Sequence, residues 1–234
     1  MSERRAERGT VTDVAQAYSS VWSSQGTTYV RTRRTSLVID PPDGRIPHSP
    51  AGLAAIEAEI AYRRALSAAD LRTVVDMAAG PEDRPNDRCH GFVLPCTSFH
   101  CAFSRIVQDP ESVASYYEGG QVGGAYRVIS LERSQPPPAH VRQWYGSSIG
   151  RWESDTLVVE TANFTSWKSG PLTSSPLGFR GNGEQFRLTE RFARVAPDMI
   201  LYRATVENPA LYARPWTIEV PWVQLEQDAV TGSK

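Results

Sequence analysis

The stretch CHGFVLPCTSFHC, residues 89–101, contains all three cysteines of the chain and two of its four histidines. Thiol and imidazole groups can ligate a metal, form a disulfide or transfer protons, so this stretch is the first candidate for chemistry. The spacing between its cysteines differs from that of zinc knuckles and ribbons, whose paired ligands lie close in sequence. Adjacent side chains of an extended chain point to opposite faces, so neither Cys89 and His90 nor His100 and Cys101 readily share one ion.

Four interpretations of this stretch remain open. It could hold a metal, although we predict no metal site here, or a disulfide that joins Cys89 to Cys96 or Cys101. It could supply a catalytic thiol or imidazole, with His90 and His100 as candidates for proton transfer. The fourth interpretation is core filling, which we favour because buried cysteine behaves as a small apolar residue.

Glu190 is the second candidate. Strand alternation places it on an apolar face between Leu188 and Phe192, where a carboxylate needs a partner or a raised pKa. Such a group can act as a general acid or base. The alternative is a buried ion pair with an inward-facing arginine, such as Arg105 or Arg142.

Composition narrows the function classes. Lysine plus arginine, 25 residues, balances aspartate plus glutamate, 26 residues, so we expect no nucleic-acid partner. No apolar run approaches the ~18 residues of a membrane span, and no apolar stretch follows the charged N-terminus, so we expect a soluble, cytoplasmic protein. P-loop, dinucleotide-binding, G-x-S-x-G and H-E-x-x-H motifs are absent from the sequence, so we expect no cofactor.

The N-terminal part, residues 1–77, is predicted to contain helices and extended chain. Thr10 can cap a helix whose apolar residues recur at helical spacing as far as Val21. The β-branched run at 27–39 predicts extended chain. Ser49 and Pro50 predict the start of a second helix, at about 50–67, with Leu53, Ile56 and Ile60 on its apolar face. A polar loop is expected at 78–88.

Beyond residue 100, short β-rich segments alternate with turn signals and predict an antiparallel meander. The predicted strands are 103–108, 112–118, 125–131, 142–145, 156–162, 186–195, 199–207 and 216–223. In the last three, alternation separates an apolar face from a polar one. The apolar faces carry Phe186, Leu188 and Phe192, then Ile200, Tyr202, Ala204 and Val206, then Trp216, Ile218, Val220 and Trp222.

A sheet of about eight strands with one apolar face must curl or fold over to hide that face. The predicted fold is therefore all-β and mainly antiparallel: a curled meander sheet or β-barrel, lipocalin-like or calycin-like in architecture, with a sandwich as the alternative. We expect a single domain over 1–234, with the sheet at 89–223 and a tail at 224–234. A curled sheet can enclose a ligand. The candidate ligand-binding rings, which otherwise fill the core, are Tyr117, Trp152, Tyr202, Trp216 and Trp222.

The segment RQWYGSSIGRWESDTLVVETANF, residues 142–164, resembles a signature close to RQWLGDSRGRWEGDTLVVDTTNF that occurs in a large group of bacterial proteins. Further matching stretches lie at 34–47, 80–89, 187–209 and 214–222. The resemblance spans most of the chain from residue 34 onward and implies membership of this family. It carries no reaction with it.

The chain departs from the family pattern in three respects. Ser147 stands where the family usually has aspartate, Ser154 replaces a glycine, and no C-terminal segment with a Cys-His-Glu run follows EVPW. The signature itself predicts a hairpin, with a sharp entry at Gly150 and a following strand, TLVVET, that is apolar on both faces. Asn163 and Phe164 follow at the rim, where ligand contacts often gather.

We expect a small-molecule-binding protein that acts as a cofactor-independent lyase, isomerase or cyclase on an apolar or aromatic metabolite. Glu190 and a histidine such as His100 would move the protons, with His90 as a further candidate. The alternatives are a carrier without catalysis and a scaffold or assembly module, and a homo-oligomer is compatible with each. A carboxylate and a histidine within about 8 Å in one cavity would favour the enzyme.

Overall fold

The computed structural model describes residues 20–23, 34, 36–68, 94–95, 103–117, 125–143, 145–165 and 184–224. These ranges contain strands β1 (Ser20–Ser23), β2 (Val38–Asp40), β3 (Phe103–Gln108), β4 (Ser112–Tyr117), β5 (Ala125–Ser130), β6 (Ser147–Glu153), β7 (Thr156–Ala162), β8 (Arg187–Ala196), β9 (Met199–Glu207) and β10 (Trp216–Gln224), and helix α1 (Pro50–Ala68). The loop predicted at 78–88 and the tail beyond Gln224 lie outside them, as does all of the cysteine-histidine stretch except Leu94 and Pro95.

The ten strands form one sheet in the order β1-β3-β4-β5-β6-β7-β8-β9-β10-β2. Every neighbouring pair is antiparallel except β5 and β6, which run parallel and pair only at Ile129↔Ser148 and Ser130↔Ile149. The prediction of a mainly antiparallel, mostly β fold is confirmed.

Strand β1 also contacts β10, the last strand but one of the order. It pairs with β3 along its length and with the end of β10 through Trp22↔Gln224 and Ser23↔Val223. This contact with β10 covers two residue pairs. It does not by itself establish the predicted closed barrel of lipocalin-like architecture.

The predicted strand bounds match β3, β7 and β9 at both ends, and those of β4, β5, β8 and β10 within a residue. The strand predicted at 142–145 is wrong, because Gln143 makes only an isolated bridge with Phe164. The sequence analysis also missed β6 as a strand; it pairs with β7 in a hairpin. Gly150 lies inside β6 rather than at a sharp entry, and a Cβ there would lie 2.8 Å from Ile129 Cγ2, so it allows close packing against β5.

Helix α1 begins where Ser49 and Pro50 predict. The Ser49 hydroxyl accepts a hydrogen bond from Gly52 N at 3.0 Å, which caps the helix, and Ser49 N donates to Leu211 O at 2.9 Å. The helix start therefore docks on the loop between β9 and β10. The predicted apolar face is wrong at Leu53, which is exposed. None of the helices that the structure describes is long and apolar enough to cross a bilayer.

The helix predicted from Thr10 to Val21 is wrong at its C-terminal end. Val21 lies in strand β1, because residues 20–23 complete a ladder with β3. The rest of that predicted helix lies outside the described residues.

The core lies on one face of the sheet, as alternation predicts. All the residues assigned to the apolar faces of the last three strands are buried. The outer face is not uniformly polar. Val158 is fully buried there between Arg151 and Arg191 of the neighbouring strands, and Glu219 is buried because Arg34 pairs with it at 2.9 Å.

Candidate functional site

The interior of the sheet contains a buried ion pair. Glu190 points inward as predicted and is fully buried. Arg127 Nη2 lies 2.8 Å from Glu190 Oε1 and 2.7 Å from Oε2, and the Tyr202 hydroxyl donates to Oε1 at 2.8 Å. The alternative of an inward arginine partner is therefore confirmed, but neither suggested residue supplies it. Arg105 is exposed, and Arg142 donates to Phe164 O and pairs with Glu184.

Arg127 links several strands. It lies on the inner face of β5, and its Nη1 donates to Ser148 Oγ on β6 at 3.4 Å and to Thr161 Oγ1 on β7 at 3.3 Å. The two hydroxyl oxygens lie 2.9 Å apart. The guanidinium lies 5.9 Å from the ring centroid of Tyr117 on β4. One side chain thus connects β4 and β5 to β6, β7 and β8.

Burial sets the protonation states in this cluster. Burial, followed by the Glu190 carboxylate, raises the pKa of Tyr202 well above its usual value. The hydroxyl therefore stays protonated and donates a hydrogen bond to Glu190. Burial also raises the pKa of Tyr117. For Arg127, burial pulls the pKa down, but the combined contributions of Glu190, Tyr117 and Tyr202 outweigh it and the pKa rises. Arg127 therefore stays charged, and its charge is matched by Glu190.

A cleft of about 790 Å³ opens beside the ion pair, where β5 and β6 diverge. Tyr126, Arg127 and Val128 of β5 line one side, and residues 146–149 line the other. Consecutive residues of a strand face opposite sides of the sheet. Because consecutive residues line the cleft, its walls include the edges of β5 and β6 as well as their side chains. Arg127 and Ser148 line the cleft and also belong to the buried network, so the cleft adjoins the ion-pair cluster.

The turn before β6 packs closely against β7. Gly146 has a φ of 66°, and a Cβ at this position would lie 2.6 Å from Ala162 O, so the close approach of the chain requires glycine. Strand β6 begins at the next residue, and the ladder with β5 therefore starts only at Ile129. Tyr126, Arg127 and Val128, which precede this ladder, line the cleft.

Asn163 positions another wall. Its side-chain amide donates to Pro137 O at 2.8 Å, and Pro137 lines the cleft. Asn163 itself is buried, with a φ of 60°. Its role in the structure is to position the segment before β6, while Phe164 packs edge-on against Phe186.

Two buried polar atoms on cleft residues have no hydrogen-bond partner within the described part of the chain. They are Arg127 Nε and Ser147 Oγ, whose residues are 5% and 8% exposed. At the rim, Tyr126 is 72% exposed and Val128 56%. The rim of the cleft is therefore aromatic and apolar, and the two unpaired atoms lie beneath its surface.

The predicted site residues are not brought together at this cleft. Tyr117, Tyr202, Trp216 and Trp222 are buried in the core, and Trp152 packs against it. Tyr202 stacks on Trp222 at 4.8 Å. None of these five rings lines the cleft, nor does Glu190. Their ligand-binding and catalytic roles stay predictions.

His90, His100 and the three cysteines lie outside the described residues, so the proposed pairing of Glu190 with a histidine also stays a prediction. Among the residues that the structure does describe, no group of three or more histidine, cysteine, aspartate or glutamate side chains is placed to hold a metal.

Sequence reasoning missed Arg127 and Tyr126 as residues of the cleft, and no pattern in the sequence singles them out.

No protein-family model and no curated protein matches this chain. The relation of residues 142–164 to the bacterial signature therefore stays a resemblance, and the function is argued from the geometry alone.

Proposed function

We propose that the chain is a small-molecule-binding protein whose ligand occupies the cleft between β5 and β6. One observation carries the proposal: a cleft of about 790 Å³ opens beside the buried Arg127–Glu190 pair, and its rim carries the exposed ring of Tyr126.

The rest of the cleft suits an organic body. Its volume of about 790 Å³ is within the range of about 300–1,000 Å³ typical of ligand pockets. The exposed ring of Tyr126 and the exposed side chain of Val128 offer an apolar wall beside the polar inner end. These features support the predicted aromatic or apolar ligand.

We also propose that the curled sheet closes as a lipocalin-like barrel through β1. The support is that β1 pairs with both β3 and β10, the two strands that closure would join. In such a barrel the Arg127–Glu190 pair would lie in the interior, and the cleft would be a gap in the wall.

Binding is better supported than acid-base catalysis. Both carboxylate oxygens of Glu190 lie within hydrogen-bond distance of Arg127, and Oε1 also accepts from Tyr202. A carboxylate held in this way cannot take a proton from a ligand unless the ion pair opens. Lyase or isomerase activity through Glu190 is therefore a separate prediction, and a carrier role needs only the cleft.

The test compares two tyrosines that face each other across neighbouring strands. Tyr126 and Tyr116 are cross-strand partners with exposed rings, but only Tyr126 lines the cleft. The probes are benzamide, benzoate and benzamidinium, and their dissociation constants are measured by ligand-observed NMR. We expect Tyr126→Ala to weaken every probe that binds by about threefold to tenfold, because one aromatic contact contributes about 0.5–1.5 kcal/mol.

Tyr116→Ala is the matched control and should leave binding within about twofold. The proposal fails if none of the three probes binds below about 10 mM, the affinity expected of even weak one-ring fragments. It also fails if the two alanine variants weaken binding equally.

A further inference from the structure

We infer that the outer face of β3, β4 and β5 binds a second copy of this chain, in a two-fold dimer whose strands run antiparallel across the interface. This inference goes beyond the proposed function and does not depend on it, because it concerns a surface of the sheet and not the ligand of the cleft.

The outer face of these three strands is apolar and open to solvent. Val107 of β3 and Tyr116 of β4 are 54% and 44% exposed, and Tyr126 and Val128 of β5 are more exposed still. From their exposed fractions, the four side chains present roughly 350–400 Å² of surface to solvent. The largest apolar patch on a monomeric protein is typically about 300–600 Å² and is often a binding surface. This face is therefore a candidate interface.

The patch consists of two rows of side chains. The registers of β3 with β4 and of β4 with β5 place the outward residues in rows that cross the three strands. One row has small side chains: Val107, Ala114 and Val128. The row beside it has large side chains: Arg105, Tyr116 and Tyr126. The surface is therefore higher along one row than along the other.

These two rows complement each other in a second copy. A two-fold axis that lies parallel to the sheet, perpendicular to the strands and between the rows would place the large row of each copy on the small row of the other. Tyr116 would pack on Ala114, and Tyr126 on Val128. A two-fold axis along the strands would instead place large side chains on large ones and leave a gap between the small ones. The sizes of the side chains therefore favour the first axis.

The charges favour the same orientation. Arg105 is exposed at one end of the patch, and the turn with Asp109 and Glu111 lies at the other end, between β3 and β4. Hydrogen bonds from Glu111 N and the Ser112 hydroxyl lower the pKa of Asp109, so this turn is anionic at neutral pH. The first axis brings Arg105 of each copy towards the acidic turn of the other, and two contacts between opposite charges form in each dimer.

The area of the patch limits the strength of the dimer. Two copies would bury about twice the exposed apolar area and the flanking side chains, which comes close to the lower limit of about 1,000 Å² for a specific interface. We therefore expect a dissociation constant on the order of 100 µM. Fragment binding to the cleft is measured at about 10 µM protein, where a chain of this affinity is mainly monomeric.

Sedimentation equilibrium of the intact chain, from about 10 µM to 1 mM, measures the dimer. Val128→Glu should weaken it at least about tenfold, because the carboxylate would lie against the Tyr126 ring of the other copy and symmetry counts the loss twice. Val195→Glu is the matched control, because Val195 is exposed to a similar extent on β8, outside the patch. It should leave the dissociation constant within about twofold.

A charge swap tests the orientation. Arg105→Glu and Glu111→Arg should each weaken the dimer by about fivefold or more, because each creates two contacts between like charges. An equimolar mixture of the two variants should dimerise within about twofold of the unaltered chain, because every contact in the mixed dimer joins a glutamate to an arginine. Arg45→Glu makes the same change of charge at an exposed residue between β2 and α1, and should have no effect.

Each result decides a separate point. A chain that stays monomeric at 1 mM would refute a second copy as the occupant and leave the patch to a different protein. Equal effects of Val128→Glu and Val195→Glu would show that the interface lies elsewhere. Loss of the dimer in both charge variants without recovery in their mixture would refute the antiparallel orientation. None of these results bears on the cleft, which the fragment probes test separately.

Discussion

Replacing Glu190 with glutamine should destabilise the protein severely. The substitution keeps the shape of the side chain and an oxygen that can accept from Tyr202, but it removes the charge that matches Arg127. The arginine side chain is 4% exposed, so its charge would remain inside the protein without a counter-charge. Arginine does not lose its proton at accessible pH, so the protein cannot relieve this charge by titration.

The expected loss is about 3–5 kcal/mol, the usual cost of removing one partner of a buried ion pair. Coulomb's law gives a similar figure, since unit charges about 4 Å apart attract by about 4 kcal/mol at an effective dielectric constant of about 20. The whole free energy of unfolding of a domain is only about 5–15 kcal/mol. Glu190→Gln should therefore lower the urea midpoint by about 1–2 M.

A double-mutant cycle separates the pair from general damage to the core. Arg127→Met combined with Glu190→Gln leaves no unmatched charge, so it should be more stable than the sum of the single variants by about 2 kcal/mol or more. Glu153→Gln is the matched control, because Glu153 pairs with Arg191 at 2.8 Å on the exposed face and should leave the midpoint almost unchanged. A loss below about 1 kcal/mol for Glu190→Gln, or additivity in the cycle, would refute this account.

Two further predictions concern the β6–β7 hairpin and Tyr202. Ser154 has a φ of 54° at the first position of the β6–β7 turn, a conformation that glycine adopts more readily than serine. Ser154→Gly should therefore raise the free energy of unfolding by about 0.5–1 kcal/mol. Asp155→Gly is the control and should not raise it, because φ is not positive at Asp155. Thermal unfolding checks both, and equal effects would contradict the role of φ. Burial raises the pKa of Tyr202 above 10.0. The protonated hydroxyl therefore contributes its full stabilisation of the fold below pH 10.0, and this contribution falls at higher pH, where the tyrosine ionises in the unfolded chain. Between about pH 9 and 11 the Tm of the unaltered chain should therefore fall more steeply than that of Tyr202→Phe, and parallel slopes would contradict the shift.

Alternation made the C-terminal strands predictable. In β8, β9 and β10, most residues of one face are apolar and most of the other are polar, with Glu190 the charged exception on the inner face, so both the strand bounds and the buried face follow from the sequence. Strand β6 lacks this signal. Its sequence SSIGRWE has serine, glycine and charge where a strand usually has β-branched residues, and its pairing with β7 holds it in place.

Only one residue of the ion pair, Glu190, was predictable from the sequence. Alternation shows that Glu190 faces inward and therefore needs a partner, but it does not identify Arg127. In AYRVIS the apolar residues Tyr126, Val128 and Ile129 fall on both faces, so the pattern does not tell which face is buried. Arginine is usually exposed, which argues for the wrong face. Only the fold, which places Ile129 and Arg127 inward, settles the choice.

The cleft and the ion pair have a common origin in the parallel junction of β5 and β6. Few backbone hydrogen bonds join β5 to β6, because their ladder covers only two residue pairs. Elsewhere the ladders hold the sheet together. At this junction Arg127 supplies what the backbone does not, since it reaches Ser148, Thr161 and Glu190 on the next three strands. The strands can therefore separate enough to form a cleft without loss of the sheet. If this is correct, breaking the pair should weaken ligand binding at the cleft as well as stability, and the two effects should share one cause: the loss of Arg127 as the link across the junction.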